Sequence, residues 1–452
     1  MSVSPPTMAH MTRPASSPLT TVSLFSGAGG LDVGLEQTGG FKLLACVELE
    51  EQFCETLRLN RDRGRFGSPE TKIIEADLST YDPNELMREL NLLPGELDVL
   101  VGGPPCQSFS TAGRRGTVED PRGQLIWDFL RFVEAFRPRY FLMENVRGLL
   151  SAALRHRPIA ERPEKGGTPL RDAEEPGSVV SAWVEDLRKI DGGAYRVDSF
   201  EVNAVNYGAP QLRERVLFIG TREGQLIDFP APTHGPTSEH PNRLPFTTLG
   251  DALDGFNEDA PVLMDFSPRK KAYLAQVPPG GNWRMLPEDI AQESMGRAYF
   301  AKGGRSGWWR RLSWDLPCPT ITTLPNHSST SMCHPFEVRV LSVGESARIQ
   351  EFPDGWEFVG TPSQQMKQVG NAVPARLGRV AGEVILDCAA KPPADPSAFP
   401  SYRKVYLRSH VRTRQWFKNG KALVWDGHGG SAEYGTKTGE VSQPTLFELE
   451  AG

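Results

Sequence analysis

Short apolar runs that end on glycine, acid or proline recur through the first half of the chain, with amphipathic stretches between them. Thr21 to Phe25 (TVSLF) is the first run, and Ser26-Gly27-Ala28-Gly29-Gly30 breaks it ahead of a segment carrying Leu31 and Leu35. LLACVELE closes at Glu48, TKIIEADL at Asp77, and the run opening at Asp98 (DVLVGG) is cut off by Pro104 and Pro105. Proline lacks a donor and has a fixed φ, so a strand ladder cannot continue through that pair. The periodic stretch LIWDFLRFVEAF predicts a helix that ends before Pro138, and YFLMENV predicts a fifth strand. A helix over Val179 to Ile190 and strands near Tyr195 to Val202 and Val216 to Ile219 complete the alternation. Apolar strands alternating with helices predict an α/β fold with a doubly wound, Rossmann-like sheet. Ligand sites in such sheets lie at the carboxyl ends of the strands. Gly27, Gly29, Gly30, Glu48, Asp77 and the Gly102–Pro105 break all fall there.

The alternation lapses between residue 222 and about 315, where proline, glycine and isolated aromatics replace it, and regular patterning resumes at Pro319. The predicted organisation is therefore a disordered tail over 1–19, a catalytic and cofactor-binding domain over 20–221 plus 366–390, a smaller irregular domain with its packing segment over 222–365, and a C-terminal extension over 391–452. Residues 151 to 178, rich in proline, glycine and charge, read as a surface insertion. Gln368-Val369-Gly370-Asn371-Ala372-Val373-Pro374 predicts the opening of a late helix, with Pro374 in its first turn.

Composition narrows the function classes. No run approaches the ~18 apolar residues of a membrane span, and residues 1 to 20 lack a basic-then-apolar leader pattern. Six cysteines without a C-x-x-C pair point to a reducing cytoplasm and to no metal site. A net charge of −6 excludes a uniformly basic nucleic-acid binder but not a local footprint. Such a footprint is predicted between Arg269 and Arg311, where nine basic residues face three acidic ones and Trp283, Tyr299, Phe300, Trp308 and Trp309 interleave. A second basic and aromatic stretch, 402–421, reads either as an accessory DNA contact or as a solvated appendage.

The candidate chemistry centres on Cys106, which follows the double proline in GGPPCQSFS at the end of the fourth strand. The glycine- and arginine-rich stretch 111–124 reads as a lid, with Arg114, Arg115 and Arg122 suited to phosphate. In Gln211-Leu212-Arg213-Glu214-Arg215, strand alternation would put Arg213 and Arg215 on one face. The glycine turn, Glu48 and Asp77 on successive strand ends favour a nucleoside-like cofactor. Asp32 spoils the pyrophosphate fingerprint, Phe25 precedes the turn and a nucleophile follows on the fourth strand, which together favour S-adenosylmethionine over a nicotinamide.

FSGAGG, GGPPCQSFS, ENV, QLRER, LSVGESARIQEFP and QVGNAVP occur in this order over roughly residues 20 to 390. The chain thereby resembles the DNA (cytosine-5) methyltransferases of bacterial restriction-modification systems. The resemblance implies methyl transfer from S-adenosylmethionine, leaving S-adenosylhomocysteine, to carbon 5 of a cytosine flipped out of a specific duplex sequence. It gives Cys106 the covalent bond to the ring, Glu144 the N3 and amino edge, and Arg215 the O2, with Arg213 as a supporting or phosphate-binding partner. It assigns the cofactor to Phe25, Gly27, Gly29, Gly30, Glu48, Asp77, Pro105 and Asn371. Some members carry a tryptophan where this chain has Leu49, so that contact is expected to be apolar. Residues 222–365 become the target-recognition region, 222 to about 315, with the segment that packs it on the catalytic domain; double-stranded DNA is the partner and the cytoplasm the location. The enzyme is expected to act as a monomer, with a cognate restriction endonuclease acting separately. A transfer RNA cytosine-5 methyltransferase is the alternative with the same chemistry, but a recognition region of about ninety residues favours duplex DNA. A nicotinamide oxidoreductase would leave Cys106, Glu144 and the arginine pair without a role, and a DNA binder without activity would not be expected to retain all three.

Overall fold

The computed structural model describes residues 17–105, 124–236, 240–301 and 305–408, with the backbone of 417–418 and 421–422. One sheet organises them. Its strands are β1 (Leu19–Leu24), β2 (Phe41–Glu48), β3 (Lys72–Glu75), β4 (Val99–Gly102), β5 (Tyr140–Val146), β6 (Arg196–Asn203), β7 (Glu214–Thr221) and β8 (Tyr402–Tyr406). They lie in the order β3-β2-β1-β4-β5-β7-β6-β8. Only β7 runs antiparallel to its neighbours. The expected doubly wound fold is present.

The apolar runs are continuous because both faces of the sheet are covered. Successive side chains alternate between two cores. Leu100, Phe141, Met143, Val216 and Phe218 face one core with α3 (Pro83–Leu90), α4 (Leu125–Phe136) and α5 (Ser178–Leu187). Val99, Val101, Leu142, Leu217 and Ile219 face the other, which includes Leu31 and Leu35 of α1 (Gly30–Glu36) and Leu377, Val380, Val384 and Ile385 near the chain's C-terminal end. On the far side of β2, α2 (Glu51–Asp62) contributes Phe53 and Leu57 to a third core.

That third core also takes in the near part of the 222–365 region. Leu249 and Leu253 of α6 (Leu249–Leu253), Cys318, Ile321 and Leu341 pack with Phe53, Leu57 and Phe66. The outer part has its own small core between α7 (Pro268–Leu274) and α8 (Glu288–Met295), which includes Trp283 and Trp309. The expected DNA-facing aromatics are therefore divided. Trp283 and Trp309 are buried, whereas Phe300 is 74% exposed. Several expected phosphate contacts are likewise engaged internally. Arg311 donates to the carbonyls of Val277 and Pro335, and Arg310 to that of Ser331.

Two sequence expectations change near the C-terminal end. Helix α9 (Val343–Ile349) is followed by α10 (Pro362–Asn371), so QVGN closes a helix. A separate helix, α11 (Ala375–Ala389), begins after Pro374, which stands at its N-cap position. The 391–452 extension also does not stay apart from the sheet: Tyr402–Tyr406 is its edge strand, parallel to β6. Arg403 reaches fully buried Asp198 at 3.2 Å, and Arg408 pairs with buried Glu201. At the other terminus Leu19 already opens β1, inside the tail expected over 1–19, and residues 1–16 lie outside the described residues.

Helices α1 and α11 meet backbone to backbone. A Cβ on Gly34 would stand 2.1 Å from the Ala375 carbonyl oxygen, and one on Gly378 would stand 2.3 Å from that of Leu31. This close approach brings the residues just before α11 onto the glycine turn, where a Cβ on Gly30 would lie 2.3 Å from the Val373 carbonyl oxygen.

Candidate active site

Parallel register brings the strand ends to one edge of the sheet. Leu24 pairs with Val47 and Gly102, Glu48 with Glu75, and Gly102 with Met143. The residues that follow form two adjoining clusters.

The first surrounds the β1–α1 turn. Gly27 (φ 56°) and Gly29 (φ 85°) use left-handed backbone conformations, and so does Phe25 (φ 52°), which is not a glycine. A non-glycine residue held there costs about 1–3 kcal/mol and marks functional sites more often than ordinary turns. The Glu48 carboxylate accepts three backbone N–H groups: Gly27 at 2.8 Å, Leu49 at 2.9 Å and Glu50 at 3.1 Å. Burial pushes the Glu48 carboxyl above its ordinary range, and those three donors pull it back. Beside it Leu49 is 59% exposed, an apolar side chain left mostly open to solvent. Open space adjoins Gly27, where a Cβ would touch nothing. A fixed carboxylate, the Phe25 ring and an exposed leucine around a glycine turn suit the ribose and adenine of an adenosyl cofactor. Asp77 lies in the turn after β3, exposed and accepting from the Ser79 N–H and hydroxyl. Asn371 is exposed at the end of α10.

The second cluster joins β4, β5 and β7. Glu144 is 7% exposed, and its Oε1 lies 2.5 Å from Arg215 Nε. Val146 and Arg215 are cross-strand partners. The carboxylate also leans on the break after β4, since a Cβ on Gly103 would stand 3.3 Å from Glu144 Oε2. Asn145, buried and adjacent, donates from Nδ2 to the Pro104 carbonyl at 3.2 Å. The turn leading to Cys106 is thus tied to the acid–guanidinium pair. Pro105 is exposed at its end. Cys106, Arg114, Arg115 and Arg122 lie outside the described residues.

Arg213 does not join Arg215. The strand begins at Glu214, so the alternation that would align the two arginines does not reach Arg213. Its side chain is 2% exposed and donates to the carbonyls of Ile321 at 3.1 Å and Gly370 at 3.0 Å. It ties the returning chain to α10, a bracing position away from the Glu144–Arg215 pair. Two contributors escaped the sequence reading. Asn145 stood inside the ENV motif, but only a contact with Pro104 reveals its task. Asp32, on the first turn of α1, is fully buried with both carboxyl oxygens lacking an aligned hydrogen bond, although its neighbours in sequence suggest an ordinary helix start.

Comparison with known proteins agrees with this architecture. The profile of the family described as C-5 cytosine-specific DNA methylase matches residues 19–387. The chain is 35% identical over 367 residues to the type II methyltransferase M.Sau96I of Staphylococcus aureus, covering 80% of this chain and 74% of that protein. It is 36% identical over 374 residues to M.Eco47II of Escherichia coli, covering 81% and 78%. Among solved structures, a prophage-encoded Escherichia coli protein described as a DNA modification methyltransferase aligns with a TM-score of 0.54 at 23% identity. It covers 82% of this chain and all (100%) of that one, and shows the shared fold.

Proposed function

The chain belongs to the C-5 cytosine-specific DNA methylase family and is a DNA cytosine-5 methyltransferase; from that premise we propose that Cys106, Glu144 and Arg215 carry its chemistry. The observation that best supports this assignment is the 2.5 Å Glu144–Arg215 pair, held against the Gly103–Pro104 turn that leads to Cys106.

Carbon 5 of cytosine is too weak a nucleophile to accept a methyl group unaided. Addition of the Cys106 thiolate to carbon 6 moves an electron pair through the ring and makes carbon 5 enamine-like. Glu144 faces N3 and gives the ring a proton or hydrogen bond there, while Arg215 holds the developing charge at O2. Pairing the two side chains sets their spacing before the base arrives. S-adenosylmethionine, which the family and fold imply, supplies an electrophilic methyl group when bound. Glu48 would hold its ribose hydroxyls, with Phe25 and Leu49 against the adenosyl group. After transfer a base takes the carbon 5 proton and the carbon 6–sulfur bond breaks, returning Cys106. The target base must leave the duplex, at a cost on the order of a few kcal/mol that contacts from the 222–365 region would offset.

The type II names of the relatives support a modification role beside a separate endonuclease that reads the same site. The enzyme would work as a monomer in the bacterial cytoplasm. No observation on this chain favours the transfer RNA alternative. The decisive experiment is a duplex carrying 5-fluorocytosine at the target, which blocks the final proton removal. Wild-type protein should run as a denaturant-stable DNA adduct, while Cys106→Ala should give no adduct and no methylation but bind cofactor normally. Turnover by that variant would remove Cys106 from the mechanism.

A further inference from the structure

Beneath the Glu144–Arg215 pair lies a four-charge cluster that includes a residue beyond the stretch the family profile covers. Strand alternation turns Glu214 and Glu201 to the face opposite Arg215. Between their carboxylates sit two guanidinium groups. Arg408, which follows β8, donates from Nη1 to Glu214 Oε1 at 2.9 Å and from Nε to Glu201 Oε1. Arg147, next after Val146 of the ENV strand, reaches Glu214 Oε2 at 3.2 Å but stands 3.8 Å from Glu201. The Glu201 side chain is 4% exposed and that of Arg147 is 43% exposed, so Arg408 is the principal counter-charge for Glu201. Backbone bonds lock it in place, because the N–H groups of Leu407 and Arg408 both donate to the Glu201 carbonyl at 3.0 Å. Arg215 in turn donates from Nη1 to the Glu214 backbone carbonyl at 2.7 Å.

We propose that Arg408 is a positioning residue for methyl transfer: by neutralising Glu201 and holding Glu214, the tail strand leaves the Arg215 guanidinium committed to Glu144 and the target ring. Removing the Arg408 charge leaves two neighbouring carboxylates with one exposed arginine. The two repelling carboxylates then shift Glu214, whose backbone carbonyl accepts from Arg215 Nη1, and that movement carries the Arg215 guanidinium away from Glu144. The proposal rests on the assignment of Glu144 and Arg215 to catalysis, and its test separates the two.

Five variants are compared in the full-length protein for kcat, KM for cofactor and DNA, and thermal melting. Arg408→Gln should lower kcat about tenfold, the scale of a small misplacement at a reacting centre, with KM for cofactor unchanged. Arg408→Lys should restore most of the loss. Glu201→Gln combined with Arg408→Gln should also recover part of it, because the surplus charge is then gone. Arg403→Gln, which loosens the same strand at Asp198, should lower the melting temperature and leave kcat unchanged. Wild-type kcat in Arg408→Gln would overturn the proposal, as would equal kcat losses in Arg408→Gln and Arg403→Gln, or a double variant no better than the single one. Glu144→Gln serves as the control: if it keeps full turnover, the catalytic assignment itself has failed.

Discussion

Replacing Asp32 with asparagine should make the protein more stable, by an amount that grows as pH rises from about 4 to about 7. Asp32 is completely buried on the first turn of α1, directly behind the glycine turn. Burial raises its carboxyl from the ordinary 3.8 to about 7; the Ser23 hydroxyl opposes the rise and Glu36 adds to it. The folded chain thus holds a proton that the unfolded chain releases. Its contribution to stability is complete below about pH 4 and is lost as pH climbs to about 7. A displacement of about 3 pH units at about 1.4 kcal/mol each gives about 4 kcal/mol, an upper limit because water entry and relaxation soften it. The asparagine side chain would be neutral throughout and nearly the same shape. Urea unfolding of both proteins at pH 4, 5, 6, 7 and 8 isolates the effect, since other groups titrate alike in the pair. The stability gap should be near zero at pH 4, widen steadily and level off above pH 7. A gap independent of pH, or one that narrows as pH rises, would refute a protonated carboxyl at this position.

The α1–α11 crossing offers a steric test. Gly34→Ala puts a Cβ where the Ala375 carbonyl oxygen lies 2.1 Å away, and separating the two helices should cost about 2–4 kcal/mol, read as a lower urea midpoint with an unchanged slope. Glu48→Ala removes the carboxylate that gathers the Gly27, Leu49 and Glu50 N–H groups. Affinity for S-adenosylmethionine should fall about 10- to 100-fold by calorimetry, and unchanged affinity would argue against a ribose contact.

Strand ends were legible because their signals are local. GGPP after an apolar run, or Glu48 after LLACV, needs no knowledge of distant chain. Helix LIWDFLRFVEAF was recovered at its observed limits, Leu125–Phe136, because its twelve residues keep one apolar stripe. Arg213 was misplaced because its fate depends on carbonyls 108 and 157 residues away. Trp283 and Trp309 read as DNA-facing groups because they lie in a segment without periodicity, where sequence cannot separate an inward aromatic from an outward one. The edge strand at Tyr402 is hidden for the same reason on a longer scale: its charges read as DNA-facing or solvated until Asp198, 205 residues earlier, supplies the partner of Arg403.

The two clusters of the site differ in how far the fold satisfies them. Around β5 and β7, Glu144 and Arg215 pair with each other, and Asn145 and Arg213 reach backbone carbonyls. The side chains that would meet the base are thus held in place by protein, even though Glu144 Oε1 and Arg213 Nε lack an aligned hydrogen bond. Around the β1–α1 turn, Phe25 is strained, Asp32 lacks an aligned bond, Glu48 is lifted by burial and Leu49 stands exposed. These costs sit where an adenosyl group would bind, not where the target base would be held. A ligand that binds the folded chain alone stabilises it by RT ln(1 + [L]/Kd), about 2.7 kcal/mol at a hundredfold excess over Kd. That is comparable with the strain at Phe25 alone, so cofactor binding can offset what the turn by itself lacks. The turn then owes its stability to the ligand, whereas the Glu144–Arg215 pair owes its geometry to the sheet beneath it, extended by a strand from the end of the chain.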